Sequence, residues 1–335
     1  MGECVVMGLE ACLFVWAGCG PGGRVVLLAP RWLELAGSCR RVSWLAAALL
    51  GAGLGACEAM RLVGHCAAAR ILLRLGVAPP GGVLAAAVTS PRGGSSLREP
   101  GVYAAECGGG ACSLWGEKVF VTNGVDADHL VVYASMGGAP AVFLVDRGAG
   151  GVSAEPMGLS AYSCSGVARL LLRGAGGRVA AHGAPARRAV VEGLGENRVL
   201  VAALAVGLGR EAVRLAAEWA EARGVLSRQA VSHRLAAAAA GLEAAGALVE
   251  RTAERVDRGA AGLWEASAAK YVAVEAAVGA VRAARLTLGG YAFAEEEPGR
   301  RLRFLEAHVA ALEPAEGTQD VQLEIVARGL LARRG

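Results

Sequence analysis

The sequence is short of charge and almost without lysine: Asp, Glu, Lys and Arg make up 19% of its 335 residues, and Lys118 and Lys270 are the only lysines. Apolar residues make up 54% and mean hydropathy is positive, which excludes a disordered chain, because such chains lack the apolar surface that offsets ordering entropy. Net charge is only +4, and the arginines are scattered among acids. The basic block that a nucleic-acid binder uses against phosphates is therefore missing, and no nucleic-acid partner is expected. Long hydrophobic runs are absent too. The most apolar stretch, Trp44 to Cys57, falls short of the ~20 residues that a spanning helix needs and reads as a buried helix. No basic start followed by an apolar run and a small-residue cleavage site marks the N-terminus, so a cytoplasmic location is expected.

The nine cysteines, Cys4, Cys12, Cys19, Cys39, Cys57, Cys66, Cys107, Cys112 and Cys164, include no CxxC pair and no framework spacing. Reduced, mostly buried thiols are the expectation. His65 adjoins Cys66, yet no second ligand pair lies at a zinc-like spacing, so no metal is expected.

Three kinds of pattern follow one another. From about Val42 to Leu75 the chain is rich in Ala and Leu, which predicts one or two helices ending near Gly76. From Gly82 to about Arg188, short β-branched runs (VLAAAVT, KVFVTN, HLVVYA, AVFLVD, RLLLR) recur between Gly, Pro, Asp and Ser, which predicts a compact β domain. Beyond Gly195 long alanine-rich helical stretches return, with Gly224, Gly259 and Gly289 placed as C-terminal caps. The expected class is α+β, divided as 1–81 helical, 82–190 a β-barrel or sandwich, and 191–335 a four-helix bundle.

Local strings sharpen this order. Ala315 to Leu331 (AEGTQDVQLEIVARGLL) carries a Glu-Gly-Thr triplet leading into a helix with a downstream Ala-Arg. Upstream stand Asp257-x-Gly259, Ala269-Lys270 and Leu288-Gly289-Gly290. The middle part holds Val88-Thr89-x-Pro91-x-x-Gly94-Ser95, then Gly116-x-Lys118-x-Phe120-x-Thr122-Asn123 and Ala127-Asp128. From about Val83 to Leu331 the chain resembles the acyl-CoA dehydrogenase family, as a short and divergent member.

That resemblance implies FAD-dependent α,β-dehydrogenation of an acyl-CoA thioester. Such a reaction needs a base for the α proton and a hydride acceptor at the β carbon. No side chain accepts hydride, so a cofactor must. By resemblance the base is Glu316; on its own the triplet would fit a solvated loop acid better, and it is the surrounding strings that favour the base. In relatives with the base on a bundle helix, the matching position is Asn197, beside Glu196, and an amide cannot act as a base. The resemblance sets Thr89, Phe120 and Thr122 against the flavin ring, Phe120 standing for a tryptophan, although plain strand alternation explains Phe120 and Thr122 as well. It sets Arg223, Gln229, Gly289, Gly290 and Thr318 along the rest of the dinucleotide, and gives Gly317 a close backbone approach. Ser95 and Arg198 match positions near the acyl-CoA, or are plain surface residues. An electron-transferring flavoprotein as acceptor and a homodimer or homotetramer complete the implied picture.

Departures from the family pattern are several. Ser90 and Ser96 replace acids, and the stretch between Arg223 and Gln229 lacks a Phe-Gly pair. Leu305 to His308 reads Leu-Glu-Ala-His in place of Arg-Asp-Ala-Arg, and Glu313-Pro314-Ala315 is an insertion expected to displace the base. The N-terminal part is short. A catalytically degenerate subunit acting as scaffold, or a related flavin oxidase or monooxygenase, are the alternatives these departures raise.

Overall fold

The computed structural model describes residues 38–49, 55–95 and 97–332. The readings made on Cys4, Cys12, Cys19, Ser96 and the N-terminal start lie outside them.

After one turn of 3-10 helix at Ser38–Arg40 come α1 (Val42–Leu49) and α2 (Ala56–Arg74). Helix α1 ends at Leu49 and α2 begins at Ala56, within the stretch where one or two helices were expected. Helix α2 stops at Leu75, and Gly76 takes the left-handed φ of 70°.

Among the described residues seven strands follow: β1 (Leu84–Ala87), β2 (Val102–Gly108), β3 (Ala111–Val121), β4 (His129–Met136), β5 (Ala139–Asp146), β6 (Val152–Pro156) and β7 (Ala168–His182). Pairings run β4, β2, β3, β7, β5 and back to β4, closing a barrel, with β1 beside β4 and β6 beside β7. Alternation assigns the two faces of β4. Leu130, Val132 and Ala134 fill the barrel with Phe143 and Leu170, while Val131 and Tyr133 enter a second core shared with the helices. This double burial explains why HLVVYA reads as a continuous apolar run.

The β domain ends earlier than expected. Helix α3 (Ala184–Ala222) starts within the stretch assigned to β structure, because Pro185 sits in its first turn, where a missing N–H costs nothing. The remaining helices are α4 (Gln229–Asp257), α5 (Leu263–Leu288), α6 (Gly299–Ala310) and α7 (Gln319–Leu331). Every side chain from Val199 to Val206 is fully buried, which makes α3 the central helix of the bundle. Gly224, Gly259 and Gly289 follow or cap their helices with φ of 65°, 66° and 61°.

The cysteine expectation is corrected. Cys39 is bonded to Cys66, Cys57 to Cys164 and Cys107 to Cys112. Two of these pairs join residues far apart in sequence, which no local spacing encodes.

Candidate active site

Helix α2 packs against both the barrel and α3, and of the residues singled out from sequence Thr122 and Asn197 touch it. On the barrel side, the Lys118 ammonium donates to Val88 O (2.7 Å) and Pro100 O (2.5 Å), and Val119 N–H donates to Thr89 O (3.1 Å). These bonds fasten the 88–100 loop to β3 and set Thr89 against Val119, the residue before Phe120. Lys118 is fully buried, and burial pushes its ammonium down to about 7. Phe120 has φ of 54° and is 57% exposed. A bulky residue in the left-handed region with its ring in the open is a strained arrangement at the barrel rim. Thr122 packs on α2: a Cβ placed on Gly64 would come within 2.7 Å of Thr122 Cγ2.

On the other side of α2 stands Glu316, in the loop between α6 and α7. Its φ is 53°, followed by 100° at Gly317. Two successive left-handed residues turn the Glu316 side chain inward, where Asn197 Nδ2 of α3 donates both to Glu316 Oε1 (3.1 Å) and to Val63 O of α2 (3.1 Å). Val63 and Gly64 are neighbours on α2, so the Thr122 contact and the carbonyl that anchors Asn197 are one residue apart there. The loop backbone is held by Arg198 Nε on Glu316 O (3.1 Å) and by Gln322 Nε2 on Glu316 O (3.2 Å) and Gly317 O (2.9 Å).

Burial pushes the Glu316 carboxyl up to about 6, against the downward pull of the Asn197 hydrogen bond and of the Arg198 and Lys270 charges. A carboxyl so placed is ionised near neutrality and still basic enough to take a weakly acidic proton. Glu196 is engaged elsewhere: it accepts from Arg70 Nε (2.9 Å) and also pairs with Arg74. The insertion before the triplet was expected to displace the base; Glu316 nonetheless faces Asn197.

Arg198 is buried and spans Glu316 O and Ser267 Oγ (3.0 Å), while Ser95 is exposed, so the structure does not bring these two together. Arg223 stacks over Trp219 (4.9 Å) and Tyr291 (5.3 Å), which sets it beside the exposed Gly289 and Gly290. Gln229 opens α4 and is exposed. Thr318 caps α7, its Oγ1 accepting from Val321 N. Residues that sequence reasoning did not assign to the site are Gln322 and Ser267, which carry no local signal, and Lys270, noted only as part of a string.

Among the described residues one trio of potential metal ligands comes together, Cys57, Cys164 and His308, with ligand atoms within 4.8 Å of one another. Its sulfurs are bonded to each other. His308 Nδ1 lies 2.7 Å from Phe304 O, and Nε2 accepts from Tyr162 N–H (3.2 Å). Among the described residues no helix is long and apolar enough to cross a membrane.

Whether a flavin dinucleotide suits these residues is tested at Phe120. Phe120 offers an open aromatic face at the barrel rim, Thr89 and Thr122 are half-buried hydroxyls of the same rim, and a flat aromatic ring stacks on such a face. The residues fit.

Comparisons with known proteins agree in family. Residues 85–169 match the model of the acyl-CoA dehydrogenase middle domain, and residues 187–331 that of the acyl-CoA dehydrogenase C-terminal domain. The 3-(aryl)acrylate reductase of Clostridium sporogenes is 30% identical over 262 residues, 74% of this chain and 68% of that protein. An acyl-CoA dehydrogenase of Bacillus subtilis is 30% identical over 265 residues, 73% of this chain and 67% of its own length. The solved structure of the prolyl acyl carrier protein oxidase AnaB shares the fold with a TM-score of 0.79 at 20% identity, covering 89% of each chain.

Proposed function

The chain belongs to the acyl-CoA dehydrogenase family, and from that premise we propose that it is an FAD-dependent dehydrogenase that oxidises the α,β bond of an acyl-CoA thioester with Glu316 as base. The observation that carries this reading is Glu316 itself, turned inward by two left-handed residues, bonded to Asn197 and raised by burial to about 6.

In this reading Glu316 takes the α proton as carboxylate. Asn197 fixes the direction of its Oε1, and Arg198 and Gln322 fix the backbone that carries it. Thr89, Phe120 and Thr122 would hold the flavin ring, and Arg223, Gln229, Gly289, Gly290, Gly317 and Thr318 the remainder, Thr318 sharing its hydroxyl with the α7 cap. The bound FAD supplies the hydride acceptor that no side chain provides. Burial raises the carboxyl, and the Asn197 hydrogen bond and the Arg198 and Lys270 charges act on it from α3 and α5. Ser95 remains exposed for the carrier half of the thioester, and Arg198 serves the base loop. We further propose an electron-transferring flavoprotein as acceptor, and a homodimer or homotetramer in which exposed Arg223 and Gln229 reach a second copy.

A second reading, a degenerate subunit serving as scaffold, draws support from Arg223, whose guanidinium is already stacked on Trp219 and Tyr291. A visible absorption spectrum followed by anaerobic titration with thioesters of graded length separates the two. A flavin spectrum bleached by one thioester is the expected result. Protein that stays colourless after incubation with FAD removes the enzyme and leaves the scaffold.

A further inference from the structure

The segment from Glu313 to Gln319 has to place a carboxyl to within a fraction of an ångström, and it begins with Glu313-Pro314-Ala315, which the family resemblance reads as an insertion. A loop of this kind holds one conformation only if its carbonyls are bonded, since each unpaired buried one is costly. Gln322 and Arg198 bond its middle carbonyls, and one further side chain bonds both its ends. Lys270 of α5 is fully buried, and its Nζ donates to Glu313 O (2.6 Å), Gly317 O (2.9 Å) and Gln319 Oε1 (3.0 Å). An ammonium has three donors and no acceptor, so its capacity is used in full. The three acceptors bracket Glu316: the first opens the insertion, the second immediately follows Glu316, and the third belongs to the first residue of α7.

We propose that Lys270 is a positioning residue for Glu316: its ammonium ties both ends of the inserted loop to α5 and thereby keeps the carboxyl on Asn197. The proposal rests on the reading of Glu316 as the base. Burying an ammonium costs several kcal/mol unless each N–H finds a partner, so a fully bonded buried lysine facing a single loop is there for that loop. Its charge also acts on the carboxyl. The charged groups facing Glu316 are Arg198 from α3 and Lys270 from α5, whereas α2 presents the Val63 carbonyl and α7 the Gln322 amide. Removing the ammonium therefore loosens the loop and raises the proton affinity of Glu316 together.

The test uses full-length, FAD-loaded Lys270→Met and Lys270→Arg beside Glu316→Gln. Turnover is followed from pH 5 to 9, and the Glu316 carboxyl band is titrated by infrared difference spectroscopy without turnover. Lys270→Met is expected to lower kcat by roughly tenfold to a hundredfold, the scale of a misplaced catalytic group. KM should stay within about threefold, and the carboxyl midpoint should move above the wild-type value of about 6. Lys270→Arg should restore the midpoint but not the full kcat, because a planar fork does not meet three acceptors around one point. Wild-type kcat and wild-type midpoint in Lys270→Met overturn the proposal; if that variant does not fold, the same two readouts unchanged in Lys270→Arg and Gln319→Ala overturn it. Failure of the base reading looks different: Glu316→Gln then turns over normally, while the infrared titration still reports whether Lys270 governs that carboxyl.

Discussion

At Glu316, backbone and environment act in the same direction. The left-handed φ of 53° brings the side chain into a pocket that opposes its charge, and Asn197, Arg198 and Lys270 return part of what burial removes. Two expectations follow from one replacement. Glu316→Gln should lower kcat by about a thousandfold, as loss of a general base does, with flavin still bound. In the wild type, kcat/KM should rise with pH and level off above about 6, as the free enzyme's carboxyl ionises. Stability moves the other way. Because the folded-state value is raised above the ordinary carboxylate value, the group's contribution is fully present below about 4.5 and is lost as pH rises through about 6. Glu316→Gln removes that loss, so the variant should be more stable than wild type at pH 8 by up to about 2 kcal/mol and no more stable at pH 4, as read by urea unfolding at the two values. A variant equally stable at both would mean that Glu316 is not buried as charge. Glu316 was legible in sequence because its triplet is local. The amide of Asn197 was noted only as a residue unable to act as base; its actual work, bridging Glu316 and α2, joins positions 119 and 134 residues apart and leaves no trace in spacing.

Elements were legible where burial imposes a period, and illegible where it does not. The runs that became β4 and β5 are apolar on both faces, and the alanine-rich stretches of α3 to α5 keep a helical face with glycine at the end. Strand β2 is largely exposed and buries only Val102, so it shows no alternation to read, and β6 alternates over only five residues, too few to stand out. The close approach of α2 to the barrel was invisible for another reason: it depends on a missing side chain. Gly64 lets Thr122 sit where a Cβ would lie only 2.7 Å from Cγ2 and 2.8 Å from Cβ. Gly64→Ala should cost about 1 to 3 kcal/mol by overpacking. It should also disturb the site, since Val63 O next door anchors Asn197. Adding Thr122→Ser deletes the nearer methyl, so the double variant should be less destabilised than the sum of the two single changes, the mark of a shared contact in a double-mutant cycle. Additive costs would place the strain elsewhere.

At the scale of the whole molecule, helical part, barrel and bundle meet at α2, and two of the three covalent links end on that helix. Cys57–Cys164 joins α2 to the one-turn helix Ser163–Ser165 of the β domain across 107 residues, Cys39–Cys66 closes 27 residues within the helical part, and Cys107–Cys112 spans the β2–β3 turn. In the chain-entropy account the benefit grows with the loop closed, about 4 to 5 kcal/mol for the first, about 3 to 4 for the second and about 2 for the third. The ranking is therefore the prediction. Cys57→Ser should lower the thermal midpoint more than Cys39→Ser, and Cys107→Ser should lower it least, with all three differences vanishing when the wild type is scanned in dithiothreitol. Because Cys57–Cys164 also fixes α2 against the barrel, its loss should weaken flavin retention, whereas loss of Cys107–Cys112, at the far end of a hairpin, should leave retention unchanged. Alkylation of the unfolded, unreduced chain followed by peptide mass analysis decides the premise: adducts on these six sulfurs would show thiols in place of bonds and would remove the ranking with them.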